Sequence, residues 1–246
     1  LTPSHDEPPS GSTRGPNELP EPADRAERAG AAVERALAEE VRRRIADGEG
    51  TRTEFKRSFS TAVKLARTCA AFANGAGGLL LIGVEDDGSV CGVGAAATLA
   101  DDIDRAAREG ADPPVRTHAF GLVLDGRRVV AVFVPRSDQA PHLAPAHDGT
   151  SKPMLRRAAS TRETDAAELR RRLAEREVLD ADEESVLAAL VAATRAGALE
   201  RTTLDATAYA TGLGRSRVRR ALHKLDRGGW CLALGSAAPS RLHLAW

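Results

Sequence analysis

Five acidic residues stand at the ends of two segments that read as strands: Glu49, Glu54, Glu85, Asp86 and Asp87. If the two strands are neighbours, three of these carboxylates can converge. Carboxylate oxygens suit hard divalent cations, and a metal-activated water held that way can cleave a phosphodiester. The same residues have plainer uses. Asp86-Asp87-Gly88 is ordinary turn chemistry, and Glu54 can pair with Lys56 or Arg57. A second group lies far along the chain, between Gly214 and Arg227. Arg215, Arg217, Arg219, Arg220, Lys224 and Arg227 are set there against one acid, Asp226. A helix carrying that charge can lie on a phosphate backbone, with Ser216, Arg217 and Arg220 in its N-terminal half, where a recognition helix touches bases.

The elements that position these groups follow from periodicity. Ala29, Val33, Leu37, Val41 and Ile45 recur every fourth residue and predict an amphipathic helix that stops at Gly48. "TRTEFKR" alternates and predicts a strand, with Glu54 and Lys56 on one face and Thr53 and Phe55 on the other. "STAVKLARTCAAFANGAGG" predicts a helix capped by Ser60 or Thr61 and ended by Asn74 and the glycines after it. Those glycines follow a helix, whose C-terminal dipole repels phosphate, so ATP binding is not expected there. "LLLIGVEDDGSVCGVG" predicts a buried strand, a turn and a return strand. "LADDIDRAARE" reads as a short helix. "VRTHAFGLVLDGRRVVAVFVP" is a hairpin turning at Asp125-Gly126. "PMLRRAAST" reads as one more strand, and "TDAAELRRRLAER" as a helix opened by a capping box of Thr164 or Asp165 with Glu168.

Hairpins mixed with helices predict an α+β fold. Residues 1–22 are rich in Pro, Ser, Gly and Glu and read as a disordered tail, 23–177 as the main domain, and 178–246 as a second, smaller domain behind a linker at Val178–Glu184. That last part has three helices, the second and third joined by a Gly-containing turn, and then two short strands. This is the order of a winged helix-turn-helix, a module that binds DNA or docks proteins.

Composition narrows the function. The chain has 246 residues, formal net charge +0 and 3% aromatic residues. Bulk charge favours no partner, and base stacking on an aromatic platform is not expected. Cys69, Cys91 and Cys231 are too few and too far apart for a zinc site or a disulfide framework. Neither a signal peptide nor a membrane span is apparent, which makes a cytoplasmic protein the expectation.

"GEGTRTEFKRSFS", "AAFANGAGGLLLIGVEDDGSVCGV" and "MLRRAASTRETDAAELRRRL", in that order, resemble the Schlafen/AlbA-type nucleic-acid-binding domain over residues 28–175. The resemblance implies a mixed sheet with flanking helices and nucleic-acid contacts from Lys56, Arg57 and Arg156. In the second domain the contacts expected are Arg215, Ser216, Arg217, Arg220 and Lys224. Some vertebrate Schlafen proteins cut RNA with two glutamates and an aspartate. Their pattern falls here on Glu49, Glu54 and Asp86, with Asp87 the next candidate, Lys56 beside the phosphate, and Mg²⁺ or Mn²⁺ as the metal; outside that reading no cofactor is expected. To bring Glu49 and Glu54 together Gly50 must bend the chain, and crowded carboxylates would make the metal-free Glu54→Gln protein slightly more stable. The family usually has Gly where this chain has Ala158. One lobe in place of the vertebrate pair implies a homodimer. The expectation is a DNA-binding transcriptional regulator, with a metal-dependent endoribonuclease as the alternative and a protein-interaction module as the third class.

Overall fold

A computed structural model describes residues 22–175, 178–235 and 241–245, without the side chains of residues 22–29, 97 and 200. The expected tail lies almost wholly outside the described residues. The first helix is α1 (Pro22–Asp47), ended by Gly48 at φ 79°. Strand β1 (Thr53–Lys56), helix α2 (Ala62–Asn74) and strand β2 (Gly78–Ile82) follow. Then come α3 (Ala96–Glu109), β3 (His118–Leu124) and β4 (Arg127–Val134). The four strands form one sheet in the order β1-β2-β4-β3. β1 and β2 run parallel with α2 as their crossover, and the other pairs are antiparallel. The fold is α+β.

The sheet has two apolar faces, which is why β2 reads as an unbroken run of Leu and Ile and not as an alternation. Leu80, Ile82, Val130, Val132 and Val134 point to one side and pack with α2 and α3. Leu79, Leu81, Val129, Ala131 and Phe133 point to the other, against Leu37 and Val41 of α1. The period of two alone sorts the side chains between two cores. Thr61 caps α2 by accepting from Lys64 N. At the other end Gly77 (φ 66°) makes the reversal into β2, and a Cβ on Gly78 would meet the Phe72 ring at 2.2 Å. Asn74 is buried between them. Its amide donates to His142 O and Met154 O, and its oxygen accepts from His142 N. The "AFANGAGG" segment is thus a packing device.

Two expected strands come out differently. After β2 the chain does turn at Asp86-Asp87, but the return makes only an isolated bridge, Val84↔Val90. Gly83 and Gly92 both have positive φ, and Gly83 O takes the N–H of both Cys91 and Gly92, so the segment folds on itself. "PMLRRAAST" is a hairpin and not one strand. β5 (Leu143–Pro145), β6 (Ser151–Arg157) and β7 (Ser160–Glu163) make a second sheet packed on α2, and Ala158 turns β6 into β7 at φ 50°. That is the position where the resemblance anticipates Gly. A left-handed alanine costs about 1–2 kcal/mol, and glycine loses about 0.5–1 kcal/mol through its freer unfolded chain. Ala158→Gly is therefore expected to raise stability by about 0.5–1 kcal/mol, read as a higher urea midpoint with an unchanged slope.

Asp165 caps α4 (Ala166–Ala174) through Glu168 N, but the Glu168 carboxylate turns to Arg171 and Arg172 and leaves the capping box half made. Helix α5 (Ala181–Arg195) begins inside the expected linker, because Asp180 and Glu183 form a complete capping box. A 3₁₀ turn (Leu199–Thr202), α6 (Leu204–Thr211), α7 (Arg215–Gly228) and the short strands β8 (Leu232–Leu234) and β9 (Leu242–Leu244) complete the order. Val186, Leu190, Val218, Leu222 and Leu225 give this part its own small core. The β8–β9 leucines do not join it. Leu232, Leu234, Leu242 and Leu244 pack with α1 and the sheet, in the same core as Phe55 and Phe133. Gly229 O accepts from Arg136 N at 2.9 Å beside Ala76 and Gly77, so backbone meets backbone at the seam. Among the described residues no helix is long and apolar enough to cross a membrane.

Candidate nucleic-acid interface

β1 is an edge strand, and its charges are tied down from inside. Glu54 and Lys56 share a face as the alternation requires, with Lys56 Nζ 2.6 Å from Glu54 Oε1. Arg156 of β6 reaches across α2 to Glu54 Oε2. Its Nη2 also donates to Gly50 O at 2.8 Å and Thr53 O at 3.4 Å, and its Nη1 to Thr161 Oγ1 at 3.2 Å. The guanidinium lies over the Phe72 ring, 5.1 Å from its centre. Burial lowers its pKa, and the Glu49 charge raises it again. The Arg156 side chain is 3% exposed and that of Glu54 8%. Arg156, expected at the nucleic-acid surface, is interior because it is the counter-charge of Glu54.

The expected acidic trio stays apart. Glu49 Oε1 accepts from Phe55 N at 2.7 Å and so caps the open edge of β1. Asp86 is exposed in the turn after β2; neighbouring Asp87 accepts from Ser89 N, and the Ser89 side chain, with that N–H, lowers its pKa. Gly50 closes a tight turn onto Thr53, and the positive φ in this segment belongs to Gly48. Among the described residues no three His, Cys, Asp or Glu side chains are grouped to hold a metal ion. Both Glu54 oxygens already face cations of this chain, so the Mg²⁺ or Mn²⁺ implied by the nuclease reading does not fit the arrangement. Cys69 and Cys231 are buried, and burial pushes the Cys69 thiol up to about 12, so it is no nucleophile at neutral pH.

Beside β1 a hollow of about 440 Å³ opens at the start of α2, lined by Lys56, Lys64, Arg67, His147, Ser60 and Thr161 among others. Its cations are largely matched. Arg67 meets Glu163 at 3.2 Å, and His147 meets the same carboxylate at 2.7 Å. Arg57, 77% exposed, sits 3.4 Å from Glu85.

On α7 the charges divide into two rows. Arg217 makes a two-pronged pair with Asp182 of α5, its Nε at 2.7 Å. Lys224 meets Glu183 at 2.5 Å, and Arg215 meets Asp205 at 2.9 Å. Ser216, Arg219, Arg220, His223 and Arg227 are exposed, at i, i+3, i+4, i+7 and i+11. That spacing is one face of a helix. Among the described residues its three arginines have no ion pair, whereas Arg215, Arg217 and Lys224, all expected contacts, do. Ser216 and Arg220 of this face are among the expected contacts; Arg219, His223 and Arg227 are not, although counting by three and four from Ser216 finds them.

Residues 49–165 match the family model described as Schlafen, AlbA_2. The chain carries a Schlafen/AlbA_2 domain. No curated protein matches the chain. The DIP2311 protein from Corynebacterium diphtheriae is a similar solved structure, 20% identical with a TM-score of 0.41; the match covers 69% of this chain and 41% of that one. The N-terminal domain of a RecG-related protein from Nitrosomonas europaea is 23% identical with a TM-score of 0.41, over 58% of this chain and 95% of that one. The Schlafen/AlbA_2 domain begins at Glu49, which caps the β1 edge, and ends at Asp165, which caps α4. The Glu54–Arg156 pair therefore lies within it. α1, which covers one face of its sheet, and the β8–β9 leucines, which finish that cover, lie outside it.

Proposed function

We propose that this protein is a cytoplasmic nucleic-acid-binding regulator that grips duplex DNA with the outer face of α7. The reading takes α5 to β9 as a winged helix-turn-helix, α7 being its recognition helix. It rests on one observation: Ser216, Arg219, Arg220, His223 and Arg227 make a continuous exposed row whose arginines are not matched by acids among the described residues. Cations already matched by carboxylates must break a pair before they meet a phosphate; unmatched ones release counterions at once. In Arg219→Ala/Arg220→Ala the log–log dependence of duplex affinity on salt should flatten by roughly 2, at about 0.9 per phosphate contact. Arg217→Ala, which loses a residue held by Asp182, should change the slope less. Fluorescence anisotropy across a salt series, with duplex DNA and single-stranded RNA as parallel arms, measures this. Equal slopes for the wild-type and double-variant proteins would remove α7 as the contact. Tighter binding of the RNA than of the duplex at the same salt concentration would move the preference from DNA to RNA.

The same reading includes a homodimer formed through the Schlafen/AlbA_2 domain. β1 and β3 are the edges of its sheet, and Glu49 and Arg156 occupy that of β1. β3 has no strand on its outer side among the described residues and carries Val123 at 57% exposure, an edge of the kind that pairs with a second chain. Light scattering of the full chain at micromolar concentration should return twice the monomer mass. The monomer mass would exclude the dimer.

A further inference from the structure

A cleft of about 270 Å³ runs along the seam between the Schlafen/AlbA_2 domain and the α5–α7 unit. Three arginines from three elements line it. Arg116 precedes β3, Arg136 follows β4, and Arg195 stands in the last turn of α5. Trp230 forms one wall, and Arg136 lies over its ring, 4.7 Å from the centre. Ser137 adds a hydroxyl, and Asp138 is the one acidic side chain of the lining among the described residues. Arg116 and Arg195 have no ion pair among the described residues. Three arginines and one acidic side chain among the described lining residues make this concave space cationic. The carbonyl end of α5 works against an anion there, and Arg195 in that turn offsets it.

We infer that this seam cleft is a binding site for a small phosphorylated molecule carrying at least two negative charges. Arginine forks match phosphate oxygens two at a time, and the low-dielectric walls of a cleft strengthen each contact. The space takes a small molecule and excludes a duplex. The site is separate from the exposed face of α7, so it stands or falls independently of the DNA reading. Because Arg195 belongs to one unit and Arg116 to the other, an occupant would hold the two units together across the seam.

Trp230 is the reporter. Trp246 is the other tryptophan of the chain, and Trp246→Phe leaves the fluorescence to Trp230. Titrating that protein with inorganic pyrophosphate in low salt should change the emission along a saturable curve. Arg195→Ala and Arg116→Ala, each in that background, should raise the apparent Kd at least tenfold. Arg67→Ala, in the hollow beside β1, should leave it unchanged. Sulfate should compete weakly, since it offers two charges on one centre. If the emission does not saturate up to millimolar pyrophosphate, or if the Arg195→Ala and Arg116→Ala variants bind as the parent does, the cleft is not this site. Circular dichroism on every variant separates lost binding from lost folding.

Discussion

Glu54→Gln is expected to destabilise the protein by about 3 kcal/mol. Removing one partner of a buried ion pair costs about 3–5 kcal/mol, chiefly because the other charge stays inside without its counterion. Glutamine keeps one oxygen that can accept from Arg156 Nη1, which places this change at the low end. Two contrasts identify the cause. Lys56, 38% exposed, should be worth less than about 1 kcal/mol when changed to Ala, as solvent-screened pairs are. Replacing both buried partners by apolar residues of similar volume, Glu54→Leu with Arg156→Met, should recover much of the loss. Urea denaturation followed by circular dichroism measures all three. The sign decides between two pictures of β1. Reading acids alone, Glu54 sits in a crowd of carboxylates and the glutamine variant gains stability. Reading the structure, Glu54 is the acceptor that Arg156 needs. A glutamine variant as stable as the parent would return β1 to the first picture.

Gly229→Ala is expected to be the most damaging single methyl in the chain. A Cβ there would stand 1.8 Å from Ala76 O, and the residue has φ 78°. Left-handed strain alone costs about 1–2 kcal/mol. The overlap is with backbone at both sides, so no side chain can swing away, and the total should exceed 3 kcal/mol, in the range reserved for named structural faults. Gly212→Ala is the matched control, since Gly212 has φ 68° and nothing within 4 Å of its Cβ position. It should cost only the strain. The readout is native-state hydrogen exchange at the seam together with the global urea midpoint. Equal losses at the two glycines would mean that the seam is looser than the backbone contact between Gly229 and Ala76 implies.

Much of the fold was legible because it rests on local pattern. The Asp125-Gly126 turn is written in two residues that accept positive φ, and the structure has both, at 51° and 74°. The faces of β2 and β4 follow from alternation, and the two helices α6 and α7 from periodicity and the glycines between them. What stayed hidden depends on partners far along the chain. Nothing local to "MLRRAAST" says that Arg156 turns inward to Glu54, 102 residues away, while Arg157 stays outside. Alternation could not foresee the β6–β7 hairpin, because its turn is made by an alanine. The domain division rested on composition, and composition cannot show that four leucines near one end share a core with Phe55 near the other. At the candidate site, residue types were read correctly as charges, but the pairing among them decides which are available.

That shared core has a consequence for how the protein is made. The sheet face formed by Phe55, Leu79, Leu81, Val129 and Phe133 is covered by α1 on one side and by the β8–β9 leucines on the other. A ribosome adds about 5–20 residues each second, so more than a hundred residues separate Phe133 from Leu244 by a delay on the order of ten seconds. Throughout that interval the nascent sheet can be complete in its hydrogen bonds and still half bare. A chaperone that holds apolar strands has its natural window there, and a stalled or early-terminated chain would keep the greasy face open for good. Quality control can therefore judge whether translation ran to Leu244 by probing a surface laid down long before it.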